Sequence, residues 1–273
     1  MGVDVVLGVP QGYWQLVLDD RRRCPPQTFV DWLGGLGVTG GFFETVTDAG
    51  DWRVDRPWFN VPQGRGGLTS FTRRVPGGMH RRIDRATGAN PLFAVSGIPG
   101  TVGSGSRALW RELASHVSGD ADFAIWPFAG DLSDLLENHR VVLGETYPRL
   151  AYAAALADGL PTRPMTVFKT QRQARNAACD RLARAQWVGA NRIDLGDLGP
   201  PRANEDDFDA HVTAAAVLRC VHEGRRLDDP DWIEAKAEGT MLLAGVVEPN
   251  RRRGGSTTTS TQRRGMTGQH QRR

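Results

Sequence analysis

Four acidic residues stand at positions where carboxylates can hold a metal ion. Asp4 lies inside the first apolar run of the chain, and Glu145 ends another apolar run. Asp206 and Asp209 are three residues apart at the start of a predicted helix, so they share one helix face. A lone carboxylate in an apolar strand is costly unless it is paired or binds a metal. If the four converge, their oxygen atoms would form a site suited to Mg²⁺ or Mn²⁺.

Whether they converge depends on the elements that carry them. Residues 1–10 form a β-branched apolar run closed by proline and glycine, which predicts a buried strand. Strand ends and helix starts meet at one edge of an open α/β sheet, which brings the four acids together. This alternation of elements predicts an α/β fold with a largely parallel sheet. The other predicted strands are 93–98, 123–128, 140–147 and 240–247, and the predicted helices are 26–36, 107–117, 150–160, 170–187 and 205–223.

Two of these acids, taken singly, also have a purely structural explanation. Asp206 would interact favourably with the helix dipole in the first turn of its helix, without any ligand. Glu145 could be an exposed strand end. Asp207 is next to the pair but points about 100° away around the helix, and we leave it outside the predicted site.

A glycine-rich segment, residues 100–106, precedes the helix predicted at 107–117. Backbone N–H groups at a helix start can cradle a phosphate, which would make this a nucleotide site. The segment has no lysine after its second glycine, however, and therefore fails as a P-loop. A simple strand-to-helix connection explains it. Ser104 lacks the G-x-S-x-G context of a nucleophile elbow, and Cys220 and His222 are too close together for a usual zinc pair.

Charge and composition divide the chain into three parts. The chain has a net charge of +3, yet residues 249–273 hold seven arginines and no acid, so the remainder is net negative. The basic pI is a property of this tail, and it does not mark the body as a nucleic-acid binder. We predict disorder over 248–273. This tail either adds salt-sensitive affinity for nucleic acid through its arginines or is a frayed terminus without function. Residues 20–95 are rich in Gly, Pro, Trp and Arg and are predicted to form a long irregular insertion.

Several features of the sequence argue against a membrane-spanning, secreted or disulfide-bonded protein. No stretch reaches the roughly 20 apolar residues that a membrane span needs, and no secretory signal opens the chain. The three cysteines are scattered, which argues against a disulfide framework, a disulfide-linked partner and a CxxC zinc site. These features predict a cytoplasmic protein.

Five sequence blocks, taken in order, resemble the predicted RNase H-like nucleases grouped as the domain of unknown function 429 family. Each block alone is weak, but their order and spacing match over residues 1–247. The blocks are 2–10 (GVDVVLGVP), 100–106 (GTVGSGS), 125–128 (IWPF), 144–149 (GETYPR) and 205–210 (EDDFDA), followed by EG at 238–239.

The resemblance implies an RNase H-like domain over residues 1–247, with a mixed sheet flanked by helices. It implies a nuclease that hydrolyses phosphodiester bonds by a two-metal mechanism, with Mg²⁺ or Mn²⁺ as cofactor and nucleic acid as partner. Two divalent ions about 4 Å apart can activate a water and stabilise the leaving oxygen. Carried over residue by residue, the implied catalytic and metal-binding set is Asp4, Glu145, Asp206 and Asp209.

One departure from the family pattern leaves a second interpretation open. Members of the family begin with an earlier strand bearing Gly-x-Asp and a hairpin, whereas this chain begins with the second block. The resemblance therefore implies an N-terminally incomplete sheet that lacks one metal ligand. The alternative to a nuclease is a catalytically inactive remnant or a binding module of the same fold.

Overall fold

The computed structural model describes residues 1–37, 41–61, 80–96, 102–117, 122–159, 161, 163–228 and 237–245. Within them, short strands alternate with helices, as the sequence predicts for an α/β fold. The strands are β1 (Gly2–Val3), β2 (Thr45–Val46), β3 (Trp58–Asn60), β4 (Ala94–Val95), β5 (Phe123–Ile125) and β6 (Val141–Glu145). The helices are α1 (Gln11–Asp20), α2 (Phe29–Gly34), α3 (Arg82–Thr87), α4 (Val102–His116), α5 (Leu132–Asn138), α6 (Pro148–Leu156), α7 (Arg172–Ala183), α8 (Gln186–Ala190), α9 (Gly199–Ala203) and α10 (Glu205–His222).

The described strands form two small sheets, and every strand pair in them is parallel. The first sheet has the order β1-β6-β5 and the second has the order β2-β3-β4. In the first sheet Val3 lies opposite Glu145. The α/β class is therefore confirmed, while the mixed sheet implied by the family resemblance has no antiparallel strand pair within the described residues.

The prediction of a strand over residues 1–10 was wrong beyond its start. Only Gly2–Val3 pairs as a strand. Farther along, the backbone N–H groups donate to side chains instead of a neighbouring strand: Val6 to Ser106 Oγ at 2.9 Å and Leu7 to Glu145 Oε2 at 2.8 Å. Gly8, with φ at +121°, then turns the chain away. Residues 6–10 are buried, as predicted, but in an irregular conformation that leads into α1, whereas Met1, Gly2 and Asp4 are exposed.

Residues 20–95 were predicted to form a long irregular insertion, and where the structure describes them they hold only short elements, packed around aromatic side chains. This part contains α2, the whole second sheet and α3. Trp32, Trp58 and Trp110 are all buried, and the rings of Trp58 and Trp110 lie 5.5 Å apart, edge to face. Such rings bury a large area and favour this geometry. Aromatic packing therefore replaces the regular apolar periodicity that the sequence lacks.

The glycine-rich segment 100–106 lies mainly inside a helix. α4 begins at Val102, and residues 100–101 fall outside the described residues. A Cβ on Gly103 would stand 2.1 Å from the backbone oxygen of Ala94. This glycine lets α4 approach β4 closely, which supports the structural explanation of the segment.

Two other predicted elements differ from those observed. The helix predicted over 170–187 is two helices, α7 and α8. The strand predicted over 240–247 is a turn where it is described: Leu242 donates its N–H to the backbone oxygen of Glu145 at 2.8 Å, and Leu243 has a positive φ. Residues 246–247, and the tail 248–273 predicted to be disordered, lie outside the described residues.

Two findings bear on the setting of the protein. No helix in the described part of the chain is long and apolar enough to cross a membrane. All three cysteines are described and are free thiols; Cys24 is exposed, and Cys179 and Cys220 are buried.

Candidate functional site

A cavity of about 1250 Å³ opens at the carboxyl edge of the first sheet. Its walls come from the ends of β1 and β6, from α6 and α10, and from the loop that precedes α7. We call it the acidic cavity because all four acids singled out in the sequence contribute to its walls. They are Asp4, Glu145, Asp206 and Asp209.

Three features of the fold bring these acids to the cavity. Asp4 directly follows β1 and Glu145 ends β6, and the parallel pairing of these strands aligns their carboxyl ends. Asn204 caps α10 by accepting the N–H groups of residues 206 and 207, which fixes where that helix begins. Helix α10 packs along α6, where the ring of Tyr152 lies 5.5 Å from that of Phe208.

Asp209 has a partner on each carboxylate oxygen. The Tyr152 hydroxyl donates to Oδ1, and the Lys169 ammonium donates to Oδ2. The Asp209 side chain is 14% exposed and that of Lys169 is 33% exposed, so this ion pair lies at the cavity wall within reach of solvent. Burial and the bond to Asp209 raise the pKa of Tyr152 above its usual range. Partial burial lowers the pKa of Lys169, but the hydrogen bond to Asp209 and the nearby carboxylates outweigh it, so the net pKa is raised.

Asp4 is an exposed residue that lines the cavity, and the protein atoms near it partly desolvate its carboxylate. This desolvation raises the pKa of Asp4 to about 6; the charge of Asp209 adds to the increase, and that of Lys169 opposes it. Asp206 is exposed at the rim and also acts on the charge of Lys169. Three carboxylates therefore act on the charge of one ammonium group, and Asp209 is the one that contacts it.

Glu145 belongs to a different, buried network. Arg81 donates to its Oε1 at 2.6 Å and to its Oε2 at 2.7 Å, and the Leu7 N–H donates to Oε2 at 2.8 Å. Arg81 is completely buried and also pairs with Asp84 at 2.7 Å. Burial raises the pKa of Glu145 to about 7 against the opposing charge of Arg81. Burial lowers the pKa of Arg81, but its two carboxylate partners outweigh this effect and raise the net pKa.

The side chains as arranged do not fit a divalent metal ion. Within the described residues, no group of three or more acidic, histidine or cysteine side chains could hold one. Arg81 occupies both oxygens of Glu145, and Tyr152 and Lys169 occupy both oxygens of Asp209. The cation that pairs with Asp209 in the acidic cavity is the ammonium group of Lys169.

Four side chains of this region were not singled out from the sequence: Arg81, Arg149, Tyr152 and Lys169. Arg149 lines the cavity, and among the described residues its Nε has no hydrogen-bond partner. One sequence signal could have identified Lys169. The chain contains 32 arginines and only two lysines, so a lysine marks a position where a compact ammonium group is used in place of a guanidinium. No comparable signal marks Arg81 among so many arginines.

Comparisons with known proteins found no similarity: no family model, no curated protein and no solved structure matches the chain. The resemblance to the domain of unknown function 429 family thus stays a hypothesis that rests on the quoted sequence blocks.

Proposed function

We propose that this protein hydrolyses phosphodiester bonds of nucleic acid in the acidic cavity and has an RNase H-like fold. The Mg²⁺ or Mn²⁺ cofactor of this proposal would need carboxylates that are free of the chain's own cations, and in the structure Glu145 and Asp209 are paired with Arg81 and Lys169. The observation that carries the proposal is the meeting of Asp4 and Asp209, 205 positions apart in the sequence, in one cavity with Asp206 at its rim. The free cysteine thiols suit a reducing compartment, and we place the activity in the cytoplasm.

The proposed roles follow from the surroundings of each side chain. Asp4, with a pKa of about 6, is mostly ionised at pH 7 and can accept a proton from an attacking water. Arg149 lines the same cavity with an unpartnered Nε among the described residues, and its guanidinium suits a phosphate oxygen. Asp209 is held in place by Tyr152 and Lys169. We assign Glu145 to the buried network, because a ligand role would require it to leave Arg81.

The test measures cleavage of labelled single-stranded and duplex DNA and RNA by the full chain, with Mg²⁺, Mn²⁺ or EDTA. We expect metal-dependent cleavage that falls by at least about 100-fold in Asp4→Asn and Asp209→Asn, the scale of a lost acid–base group. Asp158→Asn is the matched control, since Asp158 is 90% exposed and does not line the cavity. Absence of cleavage of every substrate, or equal loss in the control, would contradict the proposal.

A second candidate is an inactive protein that binds its ligand without hydrolysis. The contacts of Glu145 and Asp209 favour it, because both carboxylates already have cations of the chain as partners. This candidate predicts binding of an oligonucleotide in EDTA, measured by fluorescence anisotropy, with no cleavage when a metal is added. Weakened binding in Arg149→Met would locate that ligand in the cavity.

A further inference from the structure

The acidic cavity continues beyond its carboxylates along the whole of helix α10. One face of this helix, whose residues recur at spacings of three and four, lines the cavity from the first turn to the last. These residues are Asp206, Asp209, Ala210, Thr213, Ala214, Val217, Leu218 and Val221. At about 1.5 Å per helical residue, Asp209 and Val221 are about 18 Å apart along the helix. This length matches an extended chain of roughly five or six residues.

Away from the acids, the walls of the cavity are apolar and open to solvent. Six large apolar side chains are exposed among the described residues, and four of them line this cavity: Met1, Leu136, Leu218 and Val221. Exposed apolar side chains that gather on one surface mark an interaction site. The cavity volume of about 1250 Å³ is larger than the roughly 300–1,000 Å³ of small-molecule pockets, which favours a larger ligand.

The open edge of strand β1 forms another wall of the cavity. β1 lies at the edge of the first sheet, with β6 as its neighbour among the described strands. The backbone oxygens of Met1 and Val3 accept hydrogen bonds from β6 and from the residue that follows it. Because backbone groups alternate along a strand, the N–H and C=O of Gly2 point the other way. Gly2 is exposed and lines the cavity, which therefore offers a strand edge beside an apolar helix face.

We propose that the acidic cavity binds an extended segment of another polypeptide, which pairs with the outer edge of β1 and packs apolar side chains against α10. In this mode of recognition, backbone hydrogen bonds give affinity and side-chain contacts give specificity. Asp4 and Asp206 line one end of the cavity, and neither forms an ion pair within the described residues. Charge complementarity therefore favours a lysine or arginine at that end of the segment. This inference goes beyond the proposed function, since it concerns the binding of a polypeptide.

The test measures binding of fluorescein-labelled hexapeptides to the full chain by fluorescence anisotropy. The peptides alternate valine and threonine, and they carry a lysine at the first position in one peptide and at the last position in the other. The two lysine positions cover both directions of strand addition. We expect one of the peptides to bind saturably with a Kd below about 1 mM.

Two comparisons separate strand pairing from binding to any apolar surface. The bound peptide is N-methylated at odd positions in one copy and at even positions in another. One pattern should weaken binding at least about tenfold more than the other, because only alternate N–H groups of a strand face its neighbour. Val221→Asp should weaken binding of the unmethylated peptide at least about tenfold. Phe168→Asp is the matched control, since Val221 is 64% exposed and Phe168, which does not line the cavity, is 66% exposed.

Each outcome decides the inference. Absence of saturable binding of both peptides, equal affinity of the two methylation patterns, or an equal loss in Phe168→Asp would overturn it. A dimer of the unmodified chain that Val221→Asp converts to a monomer, measured by light scattering, would make the occupant a second copy and would also overturn it. If Val221→Asp fails to fold, Leu136→Gln replaces it, with Phe168→Gln as its control. Peptide binding by a chain that cleaves no nucleic acid would support the inference while contradicting the nuclease proposal.

Discussion

Arg81 and Lys169 each neutralise a carboxylate that the sequence marks as a candidate metal ligand, but they do so in opposite surroundings. Arg81 is completely buried and holds Glu145 through two hydrogen bonds, with Asp84 on its other side. Lys169 is one-third exposed and holds Asp209 through one hydrogen bond at a cavity wall. The first pair lies in the protein interior, and the second faces solvent.

The different surroundings of Arg81 and Lys169 indicate which of the two acids is available for chemistry. Arg81 also donates to the backbone oxygens of Leu7 and Glu238, so its removal would leave several buried acceptors without a partner. Lys169 has no such additional bonds from its side chain within the described residues. Glu145 is thus held by a buried cation with several further bonds, whereas the cation that holds Asp209 is partly exposed and has one bond.

The largest expected effect comes from breaking the buried pair. Arg81→Met leaves Glu145 and Asp84 as uncompensated buried acids, and we expect it to lower the free energy of unfolding by about 3–5 kcal/mol. Urea denaturation followed by circular dichroism measures this. A loss below about 1 kcal/mol, the range of exposed pairs, would remove the contrast between the two regions.

The second prediction concerns the pH dependence of the buried network. The pKa of Glu145 is raised to about 7 from its usual 4.5, so the folded chain holds a proton that the unfolded chain releases. The resulting stability is fully present below about pH 4.5 and is lost as the pH rises through 7. Glu145→Gln should remove this part of the pH dependence of the free energy of unfolding. Urea denaturation at pH 4.5, 6 and 7.5 measures it. An unchanged pH dependence in the variant would show that Glu145 does not titrate between pH 4.5 and 7.5.

Removal of the exposed cation should cost much less than removal of Arg81. We expect Lys169→Gln to lower the free energy of unfolding by at most about 1 kcal/mol at 0.15 M salt, because solvent screens the pair. The same urea series as for Arg81→Met gives a direct comparison. A loss of similar size in both variants would mean that Lys169 is as firmly built into the structure as Arg81.

The smallest effect is expected at Asp4. The pKa of Asp4 is raised to about 6, so the folded chain holds this proton more tightly than the unfolded chain, where the pKa is near 4. The resulting stability is fully present below about pH 4 and is lost as the pH rises through 6. Asp4→Asn should therefore raise the melting temperature slightly at pH 7.5. At pH 4 the same substitution should give a less favourable change in melting temperature. A lower melting temperature at pH 7.5 would instead make Asp4 a structural hydrogen-bonding residue.

Local sequence patterns predicted much of where the acidic residues lie. The apolar runs that contain Asp4 and Glu145 supply two adjacent parallel strands, and the helix predicted at 205–223 is observed over Glu205–His222. The cations that pair with Glu145 and Asp209 could not be predicted, because these cations come from distant parts of the chain. Arg81 lies 64 residues before Glu145, in a region without periodicity, and Lys169 lies in a loop. The opening strand was overpredicted because apolar character alone does not show whether a backbone pairs with a strand or with side chains.

The most direct test of the contrast between the two cations is the salt dependence of stability in Arg81→Met and Lys169→Gln, followed by urea denaturation at 0.15 M and 1 M salt. We predict that 1 M salt removes most of the small loss in Lys169→Gln, because that pair is partly exposed, and leaves the large loss in Arg81→Met unchanged. A loss of similar size and similar salt dependence in both variants would contradict this account.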